Sequence, residues 1–342
     1  MSTTMIEKTA ITIDDVARLA GVSKVTVSKT LNNTGRISEA TRQRVFKAAN
    51  DLGYVANSAA RSLRGGRTNL IGMVIPELIS PYFLEIARSA AESASTEKLD
   101  LGLFTTSRNA QREQERVSML SSGLTHGIII VVPTDTARNI STLERCRVPV
   151  VIINHFGVKT DLPSIRADSY QGASAAIKHL LELGHRRIGF VTGAVESSQA
   201  AERLRSYRDT LGEMGLLNES LIATGNFTQA GGFLAAQDLL DHPNPPTAIF
   251  AASDLTAFGV MDAIKDRGLR IPNDMSVVGF DNIAAASQAH PALTTVAHPI
   301  HNMTQAAIGL LVNALNGKEV KGTHLEFPSE LIVRKSTAAP PH

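Results

Sequence analysis

The hydrophobic pattern changes character near residue 68. Before it, apolar residues recur at helical spacing over short stretches. Ile11-Thr12-Ile13-Asp14-Asp15-Val16 reads as a helix start, with Thr12 as N-cap, Asp15 favourable in the first turn, and Ile11 stapled to Val16. That helix runs to Ala20 and Gly21 ends it. Ser23 caps a second helix, Lys24–Leu31, which stops at Asn32-Asn33. A third starts at Ser38. Its stripe of Val45, Ala48, Ala49 and Leu52 has i, i+3, i+4, i+7 spacing, and Gly53 lies just past its end. Helix, short glycine-containing turn, helix is the helix-turn-helix pattern. The second helix keeps Lys24, Val25, Thr26, Ser28 and Lys29 largely outside this small core, a surface of small, hydroxyl and basic groups that suits a major groove.

From Asn69 onward apolar runs alternate with helical stretches. The runs are Leu70–Ile75, Leu99–Thr105, Gly127–Val132, Val148–Ile153, Ile188–Thr192, Ala248–Ala252 and Ser276–Phe280. The helical stretches include Tyr82–Glu97, Gln111–Ser121, Ser169–Leu183, Ala200–Met214, Gln229–Leu240 and Asp254–Asp266. Crossovers of this length predict parallel sheets covered by helices. Leu70-Ile71-Gly72-Met73-Val74 and Arg187-Ile188-Gly189-Phe190-Val191 each open a βαβ series. The chain therefore reads as two doubly wound halves, and a ligand belongs in the cleft between them, at the carboxyl ends of the strands.

Charge sharpens this division. Residues 1–67 hold 11 Lys/Arg against 5 Asp/Glu, and the remainder 23 against 27. A basic head on a mildly acidic body predicts a polyanion-binding module attached to something else. The single cysteine, Cys146, excludes an intrachain disulfide and a cysteine zinc site. The start of the chain shows no signal-peptide core and no run approaches a membrane span, so a cytoplasmic protein with no membrane association is expected. The sequence lacks a Gly-x-Gly-x-x-Gly after a strand, a Walker-type loop, a Gly-x-Ser-x-Gly elbow and a His-Glu-x-x-His pair. No enzyme activity, cofactor or metal is expected, and His179 and His185 are read as solvated.

The run from Thr12 to Asn32, continued by Thr41-Arg42, Ala49, Leu52-Gly53-Tyr54, Asn57 and Ala60-Arg61-Ser62-Leu63, resembles the DNA-binding headpiece of LacI/GalR-type bacterial transcription regulators. The resemblance implies that Lys24, Val25 and Lys29 read base edges and that Thr26, Ser28, Asn32 and Ser38 contact phosphates, with Thr12 and Arg36 in the same DNA-binding set. Asn57, Ala60 and Leu63 fall on its hinge helix, where Leu63 would enter the minor groove as a wedge. The resemblance covers the body through Pro81-Tyr82-Phe83, Gly184-His185-Arg186, Pro246–Phe250, Val277–Asp281 and Pro291–Val296. It implies a periplasmic-binding-protein-like effector domain in which the chain crosses between subdomains three times, placed near Arg166, Val296 and Phe327. The expected organisation is a disordered 1–10, a helix-turn-helix domain over 11–56, a hinge helix and linker over 57–67, and an effector and dimerisation domain over 68–342. In that domain 68–166 and 297–327 form the first subdomain, and 167–296 and 328–342 the second.

Effector candidates follow from strand ends and from the resemblance. Arg203 starts a helix after a strand and can grip vicinal hydroxyls or a carboxylate with two parallel bonds. Asp281, directly after a strand, can accept from two hydroxyls. Phe227 matches an aromatic that stacks on the ligand ring. Tyr82 and Phe83 are the first-subdomain candidates, and Asp168, Asp254 and His298 complete the set; a strand-end Asp such as Asp254 serves equally well as a helix cap. His298 stands where the family usually carries Gln, and Val131 where some relatives carry a polar residue. Together these readings predict a homodimeric regulator, a repressor of a carbohydrate-utilisation operon. It would bind an inverted-repeat double-stranded DNA operator under control of a small sugar-like effector. Residues 338–342 carry no heptad pattern, so an added tetramerising helix is not expected. The alternative is a sugar-binding protein that does not bind DNA.

Overall fold

A computed structural model describes residues 11–31, 34–54, 69–133, 136–156 and 159–341. The expectations for residues 1–10, for Asn32 and for the hinge residues Asn57, Ala60 and Leu63 lie outside the described residues. The chain divides into two compact units, residues 1–68 and 69–342.

In the first unit three helices, α1 (Ile13–Ala20), α2 (Lys24–Leu31) and α3 (Glu39–Asp51), surround Val16, Ala17, Val27, Val45 and Ala48. The Asp15 carboxylate accepts the Thr12 N–H at 2.9 Å and the Thr12 hydroxyl at 2.7 Å, fixing the start of α1. Gly21 ends it at φ 65°, a left-handed turn that a side chain disfavours. The Ser23 and Ser38 hydroxyls accept N–H bonds from Thr26 and Thr41 and so cap α2 and α3. Only Val27 and Thr30 of α2 are buried.

The second unit holds two six-stranded sheets. Their strands are β1 (Leu70–Ile75), β2 (Asp100–Thr105), β3 (Ile128–Val131), β4 (Val150–Ile153), β5 (Ser164–Asp168), β6 (Ile188–Thr192), β7 (Ile222–Thr224), β8 (Ala248–Ala251), β9 (Ser276–Asp281), β10 (Thr294–Ala297), β11 (His324–Pro328) and β12 (Glu330–Ile332). The orders are β11-β5-β4-β3-β1-β2 and β12-β10-β9-β8-β6-β7, and every pairing is parallel except β10 with β12. Helices α4 (Pro81–Thr96), α5 (Ala110–Met119), α6 (Thr136–Glu144), α7 (Ser169–Glu182), α8 (Ser198–Glu213), α9 (Gln229–Leu240), α10 (Asp254–Asp266), α11 (Ala284–Gln288) and α12 (Ile300–Leu315) connect them. The pleat sorts the aliphatic runs. Met73, Ile129, Val131, Val151 and Ile153 join one core under α4 and α12, while Val74, Ile128, Ile130, Val150 and Ile152 join another on the opposite face. Continuous apolar runs are what strands buried on both faces require. No helix among the described residues is long and apolar enough to cross a membrane.

The chain changes sheets at Asp168-Ser169, at His298-Pro299 and at Ser329. Each crossing lies two or three residues after the expected Arg166, Val296 and Phe327, because strand pairing continues to Asp168, Ala297 and Pro328. Several strands are also shorter than their apolar runs. Val132, at φ 48°, leaves the extended path just after β3. Neither His185 nor His179 is solvated as expected. His185 is buried: Nδ1 meets the Thr247 hydroxyl at 2.8 Å and Nε2 lies 2.9 Å from the Ala338 carbonyl, tying down the C-terminal segment. Burial lowers its pKa. His179 is half-buried against Thr337, also with a lowered pKa from burial.

Candidate functional site

The carboxyl ends of both sheets face one narrow cleft. Its first wall comes from the start of α4 (Ser80, Pro81, Tyr82, Phe83), from Arg108 after β2 and from Val132 after β3. The opposite wall brings Ser197, Gln199 and Arg203 from the start of α8, Phe227 after β7, Ser253 and Leu255 around the start of α10, Asp281 at the end of β9 and Ile283 just after it.

Arg203 is the central charge. It is 2% exposed and lies flat on Phe280, with Cζ 3.7 Å from the ring centroid. Its Nη1 donates to the Ala252 carbonyl, and its Nη2 donates to His298 Nε2 at 3.0 Å and sits 3.7 Å from Asp281 Oδ1. Burial lowers the Arg203 pKa, and Asp281 opposes that shift. Burial pushes the Asp281 carboxyl up to about 7, against the pull of Arg203. The pair is thus a loosely matched charge couple with bonding capacity left over, which suits a ligand carrying both donors and acceptors.

The loop that presents Asp281 is strained. Asp281 has φ 112°, a conformation that non-glycine residues adopt only when the surroundings impose it, and it is followed by Asn282 in the left-handed region, at φ 54°, which asparagine tolerates. Arg334 Nη2 donates to Asn282 Oδ1 at 2.6 Å. Asp254, fully buried, accepts the Ile283 N–H at 2.8 Å and the Thr295 hydroxyl at 2.5 Å. A Cβ on Gly279 would lie 2.3 Å from Asp254 Oδ1, so glycine there makes room for this strut. Phe227 is placed in the same manner: it has φ 59°, and a Cβ on Gly193 would fall 2.0 Å from its ring.

Of the sequence candidates, Tyr82, Phe83, Arg203, Phe227 and Asp281 meet in the cleft. Three do not line it. Asp168 is the N-cap of α7, accepting the Gln171 N–H at 2.9 Å. Asp254 is the strut under the Asp281 loop, while its neighbour Ser253 caps α10. His298 stands behind Arg203. Val131 points into the core, and Val132 takes the place in the wall. Sequence reasoning missed Gln199 and Arg108. Gln199 lies four residues before Arg203 on one helix, a spacing that shares a face. Arg108 follows β2 by three residues, in the same strand-end setting that marked Asp281.

In the headpiece, Lys24, Val25 and Lys29 are exposed along α2, and Val25 is 62% exposed. Lys24 Nζ pairs with Asp14 at 2.7 Å. Thr12, Arg36 and Ser38 are exposed, and Thr26 and Ser28 half-buried. An exposed valine between two lysines has no packing role in this unit.

Residues 12–57 match the family described as bacterial regulatory proteins, lacI family, and residues 177–337 match a periplasmic binding protein-like domain. The chain is 36% identical over 331 residues to the HTH-type transcriptional regulator DegA of Bacillus subtilis, covering 96% of this chain and 98% of that one. It is 34% identical over 339 residues to the HTH-type transcriptional repressor CytR of Escherichia coli, with 98% of each covered. Among solved structures, the lac repressor dimer bound to operator and the anti-inducer ONPF superposes with a TM-score of 0.86 at 28% identity, covering 97% of this chain and all of that one. A complex of the transcriptional regulator CelR with cellobiose gives a TM-score of 0.74 at 30% identity, covering 95% and 99%.

Proposed function

Because the chain belongs to the lacI family of bacterial regulatory proteins, it is a DNA-binding transcriptional regulator, and we propose that it represses a carbohydrate-utilisation operon as a homodimer on an inverted-repeat operator. One helix-turn-helix reads only a half-site, so two headpieces supply the specificity. Lys24, Val25 and Lys29 face the bases. Thr26, Ser28, Asn32 and Ser38 contact the backbone, with Thr12 and Arg36 in the same DNA-binding set. Leu63, with Asn57 and Ala60, belongs to the hinge.

The observation that carries the effector reading is the Arg203–Asp281 couple, buried at the end of the cleft beside Phe227. Arg108, the other cation of the wall, is paired with Glu77 at 2.7 Å. Both cations lining the cleft among the described residues therefore already face a carboxylate. That favours an uncharged polyhydroxylated ring over a sugar phosphate: its hydroxyls pair with Arg203 and Asp281, and its apolar face rests on Phe227. Tyr82 and Phe83 close on it from the first wall.

The test is a thermal-shift screen of neutral monosaccharides, disaccharides, nucleosides and sugar phosphates on the full chain, followed by operator-binding titrations with each hit. A ligand at 100 times its Kd stabilises by about 2.7 kcal/mol, which is read directly as a rise in Tm. Neutral sugars should shift the parent, and Arg203→Ala should lose the shift while still binding operator if the sugar is an inducer. A shift by sugar phosphates alone, or one retained in Arg203→Ala, overturns the reading.

A further inference from the structure

The ring of His298 is enclosed by groups from both subdomains. It sits at the second crossing, between β10 in one sheet and α12, which packs on the other. Its side chain is fully buried. Tyr82 of the first wall lies on one side, with ring centroids 5.2 Å apart, and Phe280 of the second on the other at 5.0 Å. Tyr82 is anchored in turn: its hydroxyl takes a bond from Asn154 Nδ2 at 2.5 Å, and Asn154 Oδ1 accepts the Ala167 N–H at 3.2 Å.

The hydrogen bonding at His298 permits one arrangement. Arg203 Nη2 lies 3.0 Å from Nε2, and Asp281 Oδ1 lies 3.5 Å from the same atom. A guanidinium only donates, so Nε2 accepts and the ring is neutral with its proton on Nδ1. That buried Nδ1 has no hydrogen-bond partner among the described residues. An unmade bond of this kind destabilises the fold, and a leucine of similar volume would avoid it. What the imidazole supplies in return is an acceptor aimed at the cation. With Nη1 held by Ala252 and Nη2 by His298, the guanidinium cannot turn about its own axis.

We propose that His298 is a positioning residue that locks the Arg203 guanidinium in its ligand-facing orientation and links it, through Tyr82, to the first wall of the cleft. The proposal rests on the reading of this cleft as the effector site. Through His298, any shift of Arg203 on meeting a ligand is passed to a ring packed on α4, so the crossing is where occupancy reaches the first subdomain.

The experiment needs no ligand. Full-length protein carrying 15N-labelled histidine and arginine side chains is compared with His298→Gln, His298→Leu and Arg203→Met. His298→Gln also identifies the His298 signal among the ten histidines. The expected result is a neutral ring protonated on Nδ1 in the parent, changing to the Nε2-protonated form in Arg203→Met, where Asp281 is the neighbour left. Arg203 Nη signals should stay in slow exchange in the parent and in His298→Gln, whose amide oxygen restores the acceptor. They should broaden in His298→Leu, with amide exchange at Tyr82 and Phe83 rising roughly tenfold or more, as loss of a charge-assisted bond implies. An Nε2-protonated ring in the parent, or His298→Leu matching His298→Gln, overturns the proposal. Failure of the effector reading gives a different pattern: the tautomer and exchange results stand, yet Arg203→Ala keeps its response to sugar.

Discussion

Asp281 is held at odds with its own stability. Burial pushes its carboxyl up to about 7, well above the range of a solvated aspartate. Between those two values the folded state holds a proton that the unfolded state has released, so stability falls as pH rises through this window and levels off above it. The slope reaches about 1.4 kcal/mol per pH unit for one proton. The buried His298 and His185, with lowered pKa values, act in the opposite direction as pH falls below their unfolded values. The difference between parent and variant is therefore the clean readout. Relative to the parent, Asp281→Asn should gain in melting temperature as pH rises from 5 to 8, because the parent alone loses that stability; a difference independent of pH would mean that the Asp281 pKa is ordinary. Ligand hydroxyls donate best to the ionised carboxylate, so sugar affinity in the parent should rise over the same window. At this scale the sequence was informative about position and less so about role. Asp168 and Asp281 end strands, Asp254 follows one and Arg203 lies on the helix after one, yet Asp168 became a helix cap and Asp254 a strut. A carboxylate at a strand end is as good an acceptor for a local N–H as for a ligand, and only the folded direction of the side chain separates the two.

Elements were legible wherever burial on both faces demanded an unbroken apolar run. The strands β1, β6 and β8 fall almost where the runs do. Those that escaped, such as β10 with Thr-Thr-Val-Ala and β11 with His-Leu-Glu-Phe-Pro, are short or exposed. Strand β11 finds its partner β5 across 160 residues of chain, and no local pattern encodes that pairing. The packing of α9 on α10 is also invisible in periodicity, since it depends on missing atoms. A Cβ on Gly259 would lie 1.9 Å from the Gln229 carbonyl, and one on Gly232 2.2 Å from the Thr256 carbonyl. Backbone meets backbone there, so even alanine pushes the helices apart. Gly259→Ala should destabilise by roughly 1–3 kcal/mol. Gly309→Ala, midway along α12 with no atom near its Cβ position, should stabilise by about 0.5–1 kcal/mol. Denaturant titration of both variants checks the pair, and equal effects would show that the close approach is absent in solution.

The molecule as a whole joins a basic head to a mildly acidic body, and that split predicts how it finds DNA. Affinity for duplex DNA should fall with salt by about 0.9 log units per released counterion per log unit of salt. Lys29→Ala should shallow that slope and alter base preference at its half-site positions. Lys24→Ala should do less, because binding through Lys24 first gives up its pairing with Asp14. A salt series on an inverted repeat and on random duplex separates these outcomes, and indifference to sequence at ~150 mM salt would contradict the assignment of α2 as the reading helix. The family and the two-sheet architecture were both legible in the motifs, and the three crossings lie within three residues of where the resemblance puts them. Those crossings also bear on how the protein is made. Neither half of the body is a continuous stretch of polypeptide: the first sheet lacks its β11 edge until residue 328 has been synthesised, and the second lacks β12 until residue 332. At about 5–20 residues per second, a ribosome takes on the order of ten seconds or more to travel from β4 to β11. Throughout that interval the headpiece, a contiguous piece with its own core, is already out and able to fold. A nascent or prematurely terminated chain can thus carry a finished DNA-reading module on a body that cannot yet sense anything. Nonsense alleles late in the gene would be expected to leave a half-site reader without a finished body to pair it with a second, and so to lose repression and its control together.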